Sequence, residues 1–259
     1  MTTPPLSALI PKALIFDMDG VLIDSEALHV RSKREALEAA GIVVSEERFA
    51  QYTGRSDKVM IDDLAAEHGL SPEQSAAILQ QKAVIYSANE HELLPVDGAL
   101  AFLDWAKDHF RLALATSANH RNRVAHTEAL GISSLFEAAV DSARFRHPKP
   151  SPEVFQIAMH DLRLAPSDCW VVEDATTGIA AAKAAGCFAV GITTSFSPAA
   201  LYEAGADLVI HRFPELQSVL NACRADDCGP FGLAWSSLKR EVVPAAEHMR
   251  QSTQRPAAA

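Results

Sequence analysis

The stretch that decides the fold is residues 13–20, which read Ala13-Leu14-Ile15-Phe16-Asp17-Met18-Asp19-Gly20. Its first half is an apolar run of the length of a buried strand, and its second half is an acidic turn that ends in glycine. Further apolar runs of strand length follow at 112–115, 138–140, 170–172, 189–192 and 208–210. The stretch therefore predicts the first strand of a sheet, with carboxylates where that strand ends.

Helical patterns separate these runs, at 97–109, 120–130, 152–162, 176–185 and 198–204. Ser151-Pro152 is typical of a helix start, whereas Gly131, Gly186 and Gly205 stand where glycines commonly end helices. Strands that alternate with helices pair in parallel through right-handed crossovers. We therefore predict an α/β fold with a doubly wound, Rossmann-like core built on a parallel sheet.

One interval breaks the alternation. Between residues 25 and 90 the sequence shows only helical patterns, at 25–40, 45–52, 57–68 and 71–89. We interpret this interval as an all-helical cap domain on two linkers, able to close over the strand ends. The predicted organisation is an α/β core from 1–24 and 91–220, a cap at 25–90, and a partly loose C-terminal extension at 221–259.

Composition excludes several classes of protein. The net charge is −10, from 33 acidic and 23 basic residues, and no block rich in Lys and Arg offers a counter-charge to nucleic acid. Neither a signal peptide nor an apolar run of roughly 18 to 20 residues is evident, so we expect a cytoplasmic protein with no membrane partner. The four cysteines form no C-x-x-C pair, which argues against a zinc site. We take the chain as a monomer.

Polar residues follow several predicted strands where these strands end: Asp17 and Asp19, Thr116 and Ser117, and Glu173 and Asp174. Because open parallel sheets bind ligands at the carboxyl ends of their strands, we expect these residues to share one site. Oxygen ligands on a short turn suit Mg²⁺, which takes part of its shell from carboxylates and a substrate phosphate. Lys149 and the Thr116 hydroxyl would complete a pocket for a phosphoryl group, and Gly20 would let the backbone turn closely around it.

Each of these signals also has an ordinary structural explanation when taken alone. Glu173-Asp174 is a common acid pair at a helix N-terminus, and Lys149 is an ordinary solvated lysine. The D-x-D-G pattern resembles the start of a calcium loop, but Val21 and Leu22 stand where such a loop needs Asp or Asn and then Gly. It is the whole ordered set that favours a functional site.

With these residues in this order, the chain resembles the haloacid dehalogenase superfamily over about residues 13–210. The four motifs of that superfamily match Phe16-Asp17-Met18-Asp19-Gly20-Val21, then Thr116, then Lys149 in Lys-Pro-Ser-Pro-Glu-Val-Phe, and then residues 173–179, Glu-Asp-Ala-Thr-Thr-Gly-Ile. The helical insertion after the first motif is similar to the cap of the subgroup that contains beta-phosphoglucomutase, phosphoglycolate phosphatase and sugar phosphatases.

The resemblance implies a catalytic role for each core residue. Asp17 would be the nucleophile that forms an aspartyl-phosphate, and Asp19 the general acid and base. Lys149 would neutralise charge between the nucleophile and the phosphoryl oxygens, and Thr116 would donate a hydrogen bond to the phosphoryl group. Since a departing halide needs no proton, an acid at position 19 argues for phosphoryl transfer rather than dehalogenation.

The resemblance also implies Mg²⁺ as the cofactor. Its ligands would be Asp17, Asp174 and the backbone carbonyl of Asp19, with Glu173 in or near the outer shell. These are all oxygen donors, as the ion prefers.

The predicted substrate contacts are Gly20, Glu26, His29, Arg55, Lys82 and Ser117. His29 and Lys82 match positions near the substrate in beta-phosphoglucomutase, although a surface histidine and a solvated lysine are equally ordinary on helices. That mutase grips the second phosphate of its bisphosphate intermediate with a cap arginine. This chain has Asp57 in that slot, and Arg55 or Lys58 could substitute.

These features favour a Mg²⁺-dependent phosphatase of small sugar phosphates, because an acid at position 57 would repel a distal phosphate. Beta-phosphoglucomutase and phosphoglycolate phosphatase are the enzymatic alternatives. The non-enzymatic alternative is a regulatory protein that binds a phosphate ligand on the same fold. The pair Asp17 and Asp19 argues against it, because binding alone needs no nucleophile.

Overall fold

A computed structural model of the 259-residue chain describes residues 10–52 and 56–224. Within them, a parallel sheet of six strands has the order β5-β4-β1-β6-β7-β8. These strands are β1 (Ala13–Phe16), β4 (Arg111–Ala115), β5 (Ala138–Val140), β6 (Cys169–Glu173), β7 (Phe188–Ile192) and β8 (Leu208–Ile210). The predicted parallel α/β fold is thus confirmed, and β1, the first strand along the chain, lies inside the sheet rather than at its edge.

Helices connect these strands: α5 (Ala99–Ala106), α6 (His120–Ala129), α7 (Glu153–Leu162), α8 (Thr176–Ala184) and α9 (Pro198–Glu203). Each lies within three residues of its predicted bounds. All four residues of β1 and all five of β6 are buried, as expected for strands that are covered on both faces. The apolar runs in the sequence therefore reflect burial in the sheet.

The register of the central strands sets the position of the residues that follow them. Phe16, the last residue of β1, pairs with Leu114 of β4 on one side and with Val172 of β6 on the other. The backbone N–H of Asp17 then donates to the carbonyl of Val172 over 3.0 Å. Asp17 consequently leaves the sheet between the ends of β4 and β6.

The helical insertion contains α1 (Glu26–Ala39), α2 (Glu46–Ala50), α3 (Asp57–Glu67) and α4 (Pro72–Ala88) in the part of the chain that is described. Serines cap three of these helices, and Ser71 forms a capping box with Gln74. The helical insertion has a buried cluster that includes Leu37, Phe49, Met60 and Ile78. The insertion therefore has an apolar core of its own, while the predicted domain boundaries stay a prediction.

The two linkers of the insertion pair with each other, which the sequence does not indicate. Two-residue strands, β2 (Ile23–Asp24) and β3 (Leu94–Pro95), form an antiparallel pair. The N–H of Val96 also donates to the carbonyl of Leu22 over 3.0 Å. The chain thus leaves the core and returns to it side by side.

Among the described residues, a second compact unit includes Ile10 and residues 214–224. Its described part continues the last helix, α10 (Phe213–Arg224). Sequence analysis does not predict this helix, although Pro214 near its start and apolar residues at 216, 220 and 223 are a helical signal. The rest of the predicted extension, 225–259, lies outside the described residues. No described helix is both long and apolar enough to cross a membrane.

Candidate active site

Three carboxylates gather where β1 and β6 end. Asp17 follows β1, Glu173 is the last residue of β6, and Asp174 comes next. One oxygen from each lies within 4.8 Å of the others. The side chain of Asp17 is 12% exposed, and Glu173 and Asp174 are buried. The convergence predicted from the strand ends is therefore present in the structure.

Lys149 connects two of these carboxylates. Its ammonium donates to Asp17 Oδ1 over 2.9 Å and to Glu173 Oε1 over 2.5 Å. Burial alone would lower the pKa of Lys149, but the charges of Asp17 and Glu173 outweigh burial and raise it. A permanently charged lysine thus lies against the carboxylate of Asp17.

Asp19 lies two residues further along the same turn and accepts a hydrogen bond from Ser25 Oγ over 2.6 Å. Burial raises the pKa of Asp19 to about 6, the hydrogen bond from Ser25 opposes this shift, and the charge of Asp17 adds to it. Ser25 directly precedes the first helix of the insertion, so the insertion contacts Asp19 through its first residue. Sequence analysis missed Ser25.

Gly20 makes room for Asp174. Its φ is +74°, in the left-handed region, and a Cβ there would lie 2.0 Å from Asp174 Oδ2. The loop after β7 contacts both residues, because Thr194 Oγ1 donates to the carbonyl of Gly20 over 2.5 Å and Ser195 Oγ donates to Asp174 Oδ2 over 2.5 Å. Sequence analysis missed these two hydroxyls because short polar loops of this kind are common.

The donor set of the cluster fits a hard cation. Burial raises the pKa of Glu173 to about 7, and burial with the charges of Glu173 and Asp17 raises the pKa of Asp174 to about 8. Carboxylates that repel one another in this way are stabilised by a positive ion among them. Glu173 is already bound to Lys149, and its Oε2 accepts from the N–H groups of Asp174 and Ala175. Asp17 and Asp174 are therefore better placed than Glu173 to bind a cation directly.

Gly178, in α8, packs directly against Glu173. A Cβ at this position would lie 1.9 Å from Glu173 Oε1 and 2.0 Å from its Cδ. Glu173 has no exposed surface and is fixed by Lys149 and two backbone N–H groups, so it has little room to move. The glycine of the fourth motif is thus required by the close approach of this side chain.

We expect Gly178→Ala to lower the free energy of unfolding by about 1–3 kcal/mol, because overpacking displaces Glu173. An ordinary helical site would respond in the opposite direction, since alanine favours helices over glycine. Turnover should fall as well, because Glu173 positions Lys149. Thermal unfolding and activity assays would test this, with the exposed neighbour Thr177→Ala as the control. Wild-type stability in Gly178→Ala would contradict the role given to this contact.

The other predicted core residues lie at the same edge of the sheet. Thr116 directly follows β4 and is buried, and the carbonyl of its neighbour Ala115 accepts a bond from Lys149 over 3.4 Å. Ser117 is exposed beside it. Arg55 lies outside the described residues.

A cavity of about 720 Å³ separates the carboxylates from the helical insertion. Asp17, Asp19 and Asp174 line it on the core side. The insertion contributes two predicted substrate contacts, Glu26 and His29, together with the charged residues Lys33, Glu46 and Asp57. A small molecule in this space would therefore contact the strand ends and the insertion together.

Lys82 is not among the described residues that line this cavity. Its ammonium lies 2.7 Å from Asp57 Oδ2 and 2.8 Å from His29 Nδ1. Lys33, which sequence analysis missed, lies 3.2 Å from the other oxygen of Asp57. Asp57 is therefore not an isolated acid, because two ammonium groups compensate its charge. A direct contact between Lys82 and substrate stays a prediction.

Residues 14–192 match the model of the haloacid dehalogenase-like hydrolase family. The chain belongs to this family of hydrolases. The match includes both the carboxylate cluster and the helical insertion.

The relatives include a mutase and a phosphatase at the same level of identity. The beta-phosphoglucomutase of Bacillus subtilis is 29% identical over 214 residues, which are 79% of this chain and 91% of the relative. The phosphorylated carbohydrates phosphatase of Thermotoga maritima is 29% identical over 201 residues, or 75% and 92%. Identity alone therefore does not separate the two activities.

The fold is shared with solved structures. A family hydrolase from Deinococcus radiodurans, solved with bound phosphate and sodium, superposes with a TM-score of 0.69 at 25% identity, over 83% of this chain and 97% of that one. The chain also matches the chloroplastic protein SUPPRESSOR OF QUENCHING 1 of Arabidopsis thaliana, with 29% identity over 202 residues. It spans only 19% of that protein.

Proposed function

We propose that the protein is a Mg²⁺-dependent phosphatase that hydrolyses small sugar phosphate monoesters through an aspartyl-phosphate. The observation that carries this proposal is the setting of Asp17. Its carboxylate lies 2.9 Å from the Lys149 ammonium and on the wall of a cavity that Asp19 also lines. A nucleophile, a cation beside it and a second carboxyl group two residues away are the parts that such a reaction needs. A protein that only binds phosphate needs neither Asp17 nor Asp19 in these positions.

The reaction would proceed in two displacements. A carboxylate oxygen of Asp17 attacks phosphorus while the bond from phosphorus to the sugar oxygen breaks, and Asp19 gives its proton to that oxygen. Asp19 then takes a proton from a water molecule, whose oxygen attacks the phosphorus of the aspartyl-phosphate while the bond from phosphorus to the Asp17 oxygen breaks. Inorganic phosphate leaves and both carboxyl groups return to their starting states. Lys149 and the Thr116 hydroxyl would bind the phosphoryl oxygens.

Asp17, Asp174 and the backbone carbonyl of Asp19 would hold Mg²⁺, with Glu173 beside it. When bound, the ion neutralises developing charge on the phosphoryl oxygens. The oxygen-only donor set and the close packing of Gly20 on Asp174 support this assignment.

Two observations support a sugar phosphate as the substrate. The T. maritima relative is named for phosphorylated carbohydrates, and the cavity has room for a sugar beside the carboxylates. We favour hydrolysis over the mutase reaction of the B. subtilis relative because position 57, where the resemblance expects a phosphate-binding arginine, holds an acid that already pairs with the ammonium groups of Lys33 and Lys82. The contacts proposed for Gly20, Glu26, His29, Arg55, Lys82 and Ser117 remain predictions, as do a cytoplasmic location and a monomeric state.

A panel of hexose and pentose monophosphates, incubated with the protein and Mg²⁺, tests this proposal. We expect release of inorganic phosphate, with water as the final acceptor. A phosphorus NMR time course with beta-glucose 1-phosphate, primed with glucose 1,6-bisphosphate, separates the two reactions. Formation of glucose 6-phosphate much faster than phosphate release would instead identify a mutase.

A further inference from the structure

Asp57 is the first residue of α3 and presents a carboxylate to the same cavity as Asp17 and Asp19. Its side chain is 31% exposed, whereas the side chains of Lys33 and Lys82 are 13% and 10% exposed. The acid is thus the most exposed member of this group.

The two lysines fix the carboxylate from different sides. Lys33 Nζ lies 3.2 Å from Oδ1 and Lys82 Nζ lies 2.7 Å from Oδ2, so each oxygen has one ammonium partner. A carboxylate offers about four acceptor positions, and each oxygen therefore keeps capacity for another hydrogen bond. Asp57 is a positioned acceptor that two ion pairs do not saturate.

His29 supplies a donor on the same wall. Burial first, and then the charge of Lys82, lower its pKa to about 4, so the ring is neutral near pH 7. Because Nδ1 accepts from Lys82, the ring proton of the neutral imidazole is on Nε2. Asp57 and His29 both contact Lys82 and both line the cavity, so this wall offers an acceptor and a donor to a hydroxyl group, which both donates and accepts.

The basic groups on this side of the cavity are already paired with acids, which disfavours a second phosphate. Lys33 and Lys82 pair with Asp57, and Arg34 pairs with Glu46, which also lines the cavity. A distal phosphate would have to displace Asp57 from its lysines, whereas an uncharged group with hydroxyls would not.

We propose that Asp57 is a specificity-determining residue that accepts hydrogen bonds from the hydroxyls of an uncharged leaving group, and that Lys33 positions it. This inference rests on the proposed function and adds to it the chemical class of the leaving group, an uncharged polyol. The insertion thereby selects against doubly phosphorylated substrates.

The test compares Asp57→Asn with wild type on three probes: the best monophosphate of the panel above, glucose 1,6-bisphosphate and 4-nitrophenyl phosphate. We expect kcat/KM for the monophosphate to fall by about 30-fold, as for the loss of a hydrogen bond to a charged group. Activity on 4-nitrophenyl phosphate, whose leaving group lacks hydroxyls, should stay within about 3-fold. Since two lysines become unpaired, selectivity should move toward the bisphosphate by about 10-fold.

Lys33→Met and Lys33→Arg test the positioning role without touching Asp57. Lys33→Met should raise KM for the monophosphate with little change in kcat, and Lys33→Arg should restore part of the loss. Asp62→Asn is the matched control, because Asp62 lies on the same helix and pairs with Lys58 but does not line this cavity. Its kinetics should equal those of wild type.

Equal losses on the monophosphate and on 4-nitrophenyl phosphate would overturn this inference and leave the phosphatase standing. So would a wild-type enzyme that prefers the bisphosphate. A wild-type enzyme that hydrolyses 4-nitrophenyl phosphate but no sugar phosphate would overturn the sugar phosphate assignment of the proposed function, and this inference with it. If thermal unfolding shows that Asp57→Asn does not fold, Lys33→Met and Lys33→Arg take its place. Equal losses of these variants on the monophosphate and on 4-nitrophenyl phosphate would then overturn the inference. Failure of wild type to release phosphate from any probe with Mg²⁺ would instead overturn the proposed function, and this inference with it.

Discussion

Asp17→Asn is expected to lower turnover of every phosphate ester by roughly 10⁴-fold or more, since a neutral amide cannot replace the nucleophile. The substitution keeps the shape of the side chain, and Lys149 retains its bond to Glu173. No covalent phosphoryl group should appear on the protein. Steady-state kinetics and intact-mass measurement after a rapid quench would test both expectations.

Asp19→Asn provides the contrast, because it keeps the nucleophile and removes the acid and base. With an activated aryl phosphate, whose leaving group needs little protonation, the aspartyl-phosphate should form and then accumulate. The mass spectrum should show one added phosphoryl group on this variant only. A phosphorylated Asp17→Asn protein would show that another residue is the nucleophile.

Removal of divalent metal with a chelator should abolish turnover, and added Mg²⁺ should restore it. Asp17 and Asp174 are buried oxygen donors of the kind that Mg²⁺ prefers, and without the ion the negative charge that develops on the phosphoryl oxygens beside them lacks a counter-charge. Ca²⁺ should not restore activity, because its larger and looser shell would misplace the attacking carboxylate. Activity assays during metal titration would test this expectation.

A second variant for the metal experiment is Ser195→Ala, which keeps Asp174 but removes the hydroxyl bound to its Oδ2. We expect this variant to need more Mg²⁺ for half-maximal activity, by about 10-fold, and to reach a similar maximum. Full activity of wild type in excess chelator would contradict the metal assignment.

The core of the site could be predicted because its determinants are local. Buried parallel strands read as short apolar runs, and topology brings their carboxyl ends to one edge. Asp17, Glu173 and Asp174 therefore converge as expected, and the lysine before α7 reaches them.

The wall formed by the insertion could not be predicted in the same way. Lys33, Asp57 and Lys82 belong to three different helices, and their pairing depends on how those helices pack. Nothing in the sequence around Asp57 indicates that two ammonium groups flank it. The bonds from Thr194 and Ser195 escape prediction for a related reason, because a loop that follows β7 reaches the turn after β1 through Thr194 and the residue after β6 through Ser195.

The antiparallel pairing of β2 with β3 has an evolutionary consequence. Ile23 pairs with Pro95 and Asp24 with Leu94, so the points at which the insertion leaves the core and returns to it are adjacent. Residues can be gained, lost or exchanged between these two points without moving any strand of the main sheet. Descendants of one ancestral hydrolase could thus acquire new selectivity by remodelling this segment, while the carboxylates and the lysine that act on phosphorus stay in place.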